Sequence, residues 1–143
     1  SRTLCDDADL VPVRGQVVAV RIQGIEEGIS DEHDPDRISY VYPRQREVIL
    51  GGTREVGIED LVPDPKTTER ILSDCRLLVP VLSEAEYIES RVGIRPGRSK
   101  VRLEAGRLAD DRPVIHNYGH GGQGFLLSWG CAGEVIGLVR SAL

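Results

Sequence analysis

Residues 114–132 read VIHNYGHGGQGFLLSWGCA, a stretch in which three local signals follow one another. A β-branched run ends, four glycines fall within six residues (119–124), and an apolar helical pattern begins. Glycine permits positive φ and a close approach of the backbone to a ligand. Free N–H groups at a helix start favour an anion or an electron-rich ring edge. Tight packing would use the same glycines, so this pattern leaves both a ligand site and a packing role open.

The helix predicted after these glycines carries an apolar stripe. Its members at helical spacing are Phe125, Leu126, Trp129, Ala132, Val135, Ile136 and Val139. Such a stripe normally faces a core. We therefore expect Phe125 and Trp129 to be core residues and Cys131, on the same helix, to be buried rather than nucleophilic.

Upstream, the sequence alternates short strand patterns with loops. The predicted strands are Val17–Ile22, Ser39–Tyr42, Glu47–Leu50, Tyr87–Ile94, Val101–Glu104 and Val114–Asn117. One internal helix is predicted over 65–78, because Asp64-Pro65 is a typical helix start and Pro80 a stop. Several strands with one internal and one terminal helix indicate an α+β fold built on a mixed β-sheet.

Composition excludes several classes of function. The 18 Lys and Arg are outnumbered by 23 Asp and Glu, giving a net charge of −5, whereas nucleic-acid binders usually present a basic face. The apolar runs at 77–82 and 124–127 are far shorter than the roughly 20 residues of a membrane span. The three cysteines, at 5, 75 and 131, form neither a disulfide framework nor a metal-binding spacing. We expect no nucleic-acid, membrane or metal binding, and a reducing, cytoplasmic location.

The order of residues in 114–132 is more specific than its glycine content. It resembles, at every position, the signature of the D-amino-acid oxidase family of flavoproteins: two aliphatics, His-Asn, an aromatic, Gly, and the later glycines and alanine. The resemblance extends outward to Gly93–Glu104 with its Arg-Pro pair, to Ser39–Pro43, and to Val48–Thr53. It implies FAD as the cofactor.

The resemblance covers only the C-terminal part of the family. It implies that 1–16 is a remnant of the FAD domain leading into the next region, that 17–111 is a substrate-binding domain, and that 112–143 is the last strand and helix of a Rossmann-like FAD domain. The family's N-terminal unit begins with a G-x-G-x-x-G turn, and no such unit opens this chain. An N-terminal FAD-binding portion is therefore an expected partner, and a homodimer is one assembly the family would allow.

The resemblance also implies roles for four substrate-binding residues. Arg95 would pair with the substrate carboxylate as a planar fork, and the Tyr40 hydroxyl would reach the same group. The Gly122 carbonyl would accept a hydrogen bond from the substrate amine. Arg54 matches a place where D-aspartate oxidases can hold a side-chain carboxylate. Without the motifs, surface arginines and a core tyrosine would be the ordinary interpretations.

Six residues would line the flavin ring in this resemblance: Gly121, Gly122, Gln123, Gly124, Phe125 and Leu126. Many relatives carry a lid tyrosine four residues before the Tyr40 position, but Asp36 stands here, which implies a different lid. His116 is expected to satisfy a hydrogen bond at a strand end rather than to act as a catalytic acid or base.

The implied reaction is oxidation of a D-amino acid by hydride transfer to flavin, with O2 as the second substrate and hydrogen peroxide, ammonia and a keto acid as products. No protein acid or base is required. A neutral substrate is preferred, because D-aspartate oxidases often have serine at the Gly122 position. The alternatives are D-aspartate oxidation, a related glycine or sarcosine oxidase, and an inert fragment that exposes an apolar patch.

Overall fold

The computed structural model describes residues 6–34 and 37–142, so Cys5 and Asp36 lie outside the described residues. The strands are β1 (Val11–Arg21), β2 (Ile29–Asp31), β3 (Ser39–Pro43), β4 (Val48–Gly51), β5 (Glu55–Val56), β6 (Glu86–Arg107) and β7 (Pro113–His120). The helices are α1 (Pro65–Leu78) and α2 (Gly124–Ala142), and two short 3-10 turns span Pro80–Glu84 and Gly121–Gln123. This content confirms the predicted α+β class.

The chain divides into two compact units. The central unit contains residues 14–94, and the terminal unit contains residues 6–13 and 95–142 of the described chain. Strands β1 and β6 each contribute residues to both units. The division at residues 16 and 111 that the sequence suggests stays a prediction.

The central unit is built on antiparallel strands in the order β2-β3-β4-β1. Val41 of β3 pairs with Leu50 of β4, and Leu50 pairs in turn with Val18 of β1. All three side chains are fully buried. The core is completed by Val20, Val48, Ile71, Cys75 and Leu82. These residues place the sheet face of the central unit against α1.

Helix α1 begins and ends where its sequence predicts. The Asp64 carboxylate caps the start by accepting a 2.7 Å hydrogen bond from the Thr67 amide, and Pro65 occupies the first turn, where no amide donor is needed. Pro80 follows the last turn, after Val79 donates to the Cys75 carbonyl at 2.8 Å. Burial raises the pKa of the Cys75 thiol to about 11, which makes it a packing residue.

The terminal unit pairs the second half of β6 antiparallel with β7. The two strands predicted at 87–94 and 101–104 are one continuous strand of 22 residues, so that part of the prediction is wrong. Pro96 lies within this strand, although proline lacks an amide donor. The structure accommodates it next to an irregular segment, where the β6–β7 register shifts between Gly97 and Arg102.

The apolar stripe of α2 is not a core in the described chain. Phe125 is 95% exposed, Trp129 is 90% exposed, and none of residues 124–142 is buried. The expectation that Phe125 and Trp129 pack into a core is wrong here, because helical spacing specifies an apolar face without supplying the surface that covers it. Among the described residues, no helix is long and apolar enough to cross a membrane.

Candidate functional site

A turn at residues 119–124 (the glycine turn) connects β7 to α2. Gly119 and Gly121 have φ of +87° and +55°, a region that side chains with a Cβ rarely adopt. A Cβ on Gly121 would meet no atom within 4 Å, so the turn opens into free space there. Glycine at both positions therefore permits the positive φ of the turn. At Gly121 the absence of a side chain also leaves the backbone accessible, with no tight packing around it.

Gly119, Gly121 and Gly124 also carry the spacing G-x-G-x-x-G between a strand and a helix, a signal that sequence reasoning missed. In dinucleotide-binding folds that turn opens a parallel strand–helix–strand unit. Here β7 pairs antiparallel with β6. Within the described residues, the spacing at 119–124 therefore does not open a parallel strand–helix–strand unit.

The structure brings together two of the four substrate-binding residues predicted from the sequence. Arg95, on β6, lies beside Gly122 in the terminal unit. A Cβ on Gly122 would stand 3.7 Å from Cδ and 3.9 Å from Nε of Arg95. The stem and head of the arginine thus run along a backbone segment that has no side chain. The Arg95 guanidinium and the exposed backbone of Gly122 therefore lie close together.

Tyr40 belongs to the central unit and lies across the end of β4. It pairs in register with Gly51, and a Cβ on Gly51 would overlap the Tyr40 ring. A Cβ on Gly52 would stand 3.1 Å from the Tyr40 hydroxyl. The ring also stacks on Tyr42 with a 4.9 Å centroid separation. Two glycines therefore create the space that the Tyr40 ring occupies.

Arg54 lies between β4 and β5 of the central unit, and its side chain is exposed. Tyr40 and Arg54 thus belong to one unit, and Arg95 and Gly122 to the other. The roles of all four residues, and of the flavin-lining residues 121–126, stay predictions.

A buried carboxylate, Asp7, is bonded to the residue that precedes the glycine turn. The sequence analysis did not identify this carboxylate. Asp7 Oδ2 accepts hydrogen bonds from the Tyr118 hydroxyl at 2.6 Å and from Arg98 Nε at 3.1 Å. Arg102 Nη1 donates to the Tyr118 hydroxyl at 2.7 Å. These residues form the Asp7 cluster. Since Asp7 and Tyr118 are 111 residues apart, no local pattern could have revealed the contact.

The Asp7 cluster makes the stability of the fold depend on pH. The hydrogen bonds from Tyr118 and from Arg98 outweigh desolvation and lower the pKa of Asp7 to about 2. A carboxyl with a lowered folded-state pKa stabilises the fold above its unfolded pKa, near 4, and loses that contribution as pH falls toward 2. We expect Asp7→Asn to lower the melting temperature at pH 7, and the difference from the wild type to shrink between pH 4 and 2.

Thermal unfolding followed by circular dichroism from pH 7 to pH 2 measures this difference. Asp110→Asn is a matched control, because Arg112 also lowers the pKa of Asp110 but the pair lies on an exposed turn. A gap between Asp7→Asn and wild type that stays constant down to pH 2 would contradict the assignment.

The histidines of the stretch have separate surroundings. His116 is 6% exposed, and its Nδ1 is buried without a hydrogen-bond partner among the described residues. The expectation that His116 satisfies a hydrogen bond at the strand end is therefore wrong for this atom. His120 Nε2 lies 3.4 Å from Cys131 Sγ, and Cys131 is partly exposed rather than buried.

Comparison with known families identifies the class of protein. The sequence model of the family described as FAD dependent oxidoreductase matches residues 1–138. The chain therefore belongs to the DAO family of FAD-dependent oxidoreductases.

Two curated relatives and one solved structure show what the chain is similar to within this family. The chain is 46% identical to the D-amino-acid oxidase of Rubrobacter xylanophilus, over the whole chain and 44% of the relative. It is 43% identical to human D-aspartate oxidase, over the whole chain and 42% of the relative. Its fold matches the crystal structure of glycine oxidase from Geobacillus kaustophilus, with a TM-score of 0.80 and 25% identity over 94% of this chain and 36% of that one. The chain thus spans less than half the length of these relatives.

The residues of the glycine turn fit the flavin on which the family depends. The turn leaves free space at Gly121, and the first turn of α2 contains no acidic residue. The N-terminus of α2 can therefore present its positive end to an electron-rich ring edge. Phe125, at the start of the helix, offers an exposed apolar surface to the same region.

Proposed function

We propose that the chain contributes the substrate-binding strands and one wall of the flavin site in an oxidase of D-amino acids. The observation that carries this proposal is the proximity of the Arg95 side chain to the backbone of Gly122. An α-amino acid bears its carboxylate and its amine on one carbon. A guanidinium fork for the carboxylate and a backbone carbonyl for the amine must therefore lie side by side, as these two residues do.

The predicted substrate-binding residues have orienting roles in this proposal. Arg95 binds the carboxylate in two places and fixes the plane of the substrate. The Gly122 carbonyl accepts a hydrogen bond from the neutral amine, and the substrate-binding role of Tyr40 stays a prediction from the sequence. FAD, when bound, supplies the two-electron acceptor. Holding the substrate in one reactive orientation is then the main catalytic contribution of these residues.

The same turn would also contribute to the cofactor site. Residues 121–126 would line the flavin ring, and the N-terminus of α2 would stabilise negative charge at the ring edge. A homodimer, a cytoplasmic location and an N-terminal FAD-binding portion that completes the site stay predictions from the sequence.

Neutral D-amino acids are the preferred substrates in this proposal, and acidic ones are the second candidate. The exposed Arg54 could hold a side-chain carboxylate, and the 43% identity to human D-aspartate oxidase is close to the 46% for a D-amino-acid oxidase. Glycine at 122 lacks the serine hydroxyl that often accompanies acidic substrates.

The test is FAD binding by the chain, with and without the part of the Rubrobacter xylanophilus relative that the chain does not span. Quenching of flavin fluorescence reports binding, and anaerobic loss of flavin colour reports oxidation of D-alanine or D-aspartate. We expect binding and loss of colour only in the complemented protein, faster with D-alanine, and none with L-alanine. Faster reduction by D-aspartate would assign the acidic class, and no FAD binding in either form would overturn the proposal.

A further inference from the structure

We propose that Asp7 is a positioning residue for the glycine turn, which it holds in its flavin-facing shape through Tyr118 and Arg98. This inference rests on the proposed function, because it concerns the wall of the same flavin site. Asp7 lies on a segment far from the turn in sequence and would touch neither substrate nor cofactor.

Strand pairing is interrupted at Gly119, the first residue of the turn. The β6–β7 register runs regularly up to Arg102 opposite Tyr118, and then resumes at Gly97 opposite His120. Residues 98–101 of one strand therefore stand opposite Gly119 alone. Such an irregularity interrupts the ladder of backbone hydrogen bonds. Contacts other than strand pairing therefore act on the backbone at Gly119, between the paired residues Tyr118 and His120.

The Asp7 carboxylate supplies the first of these contacts. Its side chain is 5% exposed, and Oδ2 accepts the Tyr118 hydroxyl at 2.6 Å and Arg98 Nε at 3.1 Å. Its other oxygen accepts the Asp9 amide at 3.1 Å. A buried carboxylate that lost these donors would pay its desolvation cost without compensation. Tyr118, the last residue before the turn, is therefore held firmly.

The second contact acts on Gly119 through Arg98. A Cβ on Gly119 would stand 2.8 Å from Cβ and 2.9 Å from Cδ of Arg98, so the arginine stem lies directly against the glycine backbone. The head of the same arginine is bonded to Asp7. One carboxylate thus fixes residue 118 by a hydrogen bond and residue 119 by packing. The backbone then passes through Gly121 to Gly122, beside Arg95.

The positioning role predicts a local effect on flavin binding. In the longest form of the protein that its gene encodes, Asp7→Asn and Tyr118→Phe should each raise the dissociation constant for FAD about 10-fold. Each variant should also shift the visible absorption bands of the bound flavin, because the turn that lines the ring relaxes. In the double variant the dissociation constant for FAD should also rise about 10-fold rather than 100-fold, because both changes break the same hydrogen bond between Asp7 and Tyr118. Asp7→Glu, which keeps the charge, should recover part of the affinity.

Hydrogen exchange provides a readout that needs no flavin. Amides in the peptide spanning the glycine turn should exchange faster in Asp7→Asn and Tyr118→Phe than in the wild type. Ser99→Ala is the matched control, since Ser99 lies in the same irregular segment but bonds to Asp9 instead. It should change FAD affinity less than 2-fold. Leu50→Val, in the core of the central unit, controls for a general loss of stability.

The outcomes separate the two proposals. Unchanged FAD affinity and absorption bands in Asp7→Asn and Tyr118→Phe, in a protein that binds FAD, would overturn the positioning role alone. Equal losses in Ser99→Ala or Leu50→Val would also overturn it, because the effect would then be general destabilisation. A wild-type protein that fails to bind FAD would overturn the proposed function and the positioning role together.

Discussion

Arg95→Leu is expected to lower kcat/KM for D-alanine by about 10²- to 10⁴-fold, mainly through a higher KM. The change would remove the two charge-assisted hydrogen bonds that Arg95 is proposed to make to the substrate carboxylate, each contributing about 1.5–3 kcal/mol. Leucine keeps an apolar stem beside Gly122, so the glycine turn should hold its shape. FAD affinity should therefore stay within about 2-fold of the wild type, although the substrate binds poorly. Steady-state kinetics with flavin titration measure both quantities.

Three further variants make the Arg95 result specific. Arg107→Leu removes an exposed arginine from the same strand, and it should leave kcat/KM unchanged within 2-fold. Arg95→Lys keeps the charge without the planar fork, so its loss should be intermediate. His116→Gln should lower kcat/KM far less than Arg95→Leu, because His116 is not predicted to act as a catalytic acid or base. Comparable losses in His116→Gln and Arg95→Leu would contradict the carboxylate assignment.

Gly51→Ala is expected to lower the free energy of unfolding by about 2 kcal/mol, since the new methyl group would overlap the Tyr40 ring. The ring must leave its place across β4, which would also move the hydroxyl proposed to bind the substrate. KM should then rise about 10-fold, as it should in Tyr40→Phe. Chemical denaturation and steady-state kinetics give the two values.

A double-mutant cycle tests whether the Tyr40 ring causes this cost. In a Tyr40→Ala background the space opposite Gly51 is open, so adding Gly51→Ala should cost less than about 1 kcal/mol. Gly93→Ala is the control, because a Cβ there would meet no atom within 4 Å, and it should be nearly neutral. An equal cost of Gly51→Ala in both backgrounds would show that Tyr40 does not occupy that space.

Local features of this protein could be predicted from the sequence. The stretch 114–132 carries its strand, its glycine turn and its helix in one continuous segment, and α1 is bounded by Asp64-Pro65 and Pro80. Arg95 and Gly122 could be chosen because each stands in a recognisable motif. These signals are local because capping, glycine conformation and proline geometry depend on a few neighbouring residues.

Other features depend on residues that are distant in the sequence. Asp7 meets Tyr118 across 111 residues, and Gly51 makes room for a ring on a different strand. The exposure of Phe125 and Trp129 could not be predicted either, because an apolar stripe in the sequence does not specify whether another surface covers it. The two strands predicted at 87–94 and 101–104 are likewise one continuous strand, whose pairing with β7 shifts register between Gly97 and Arg102. Sequence patterns thus predicted most of the elements, the family resemblance and the motif residues. Which side chains meet across strands, and which apolar faces stay uncovered, followed from packing, since packing joins segments that the order of residues keeps apart.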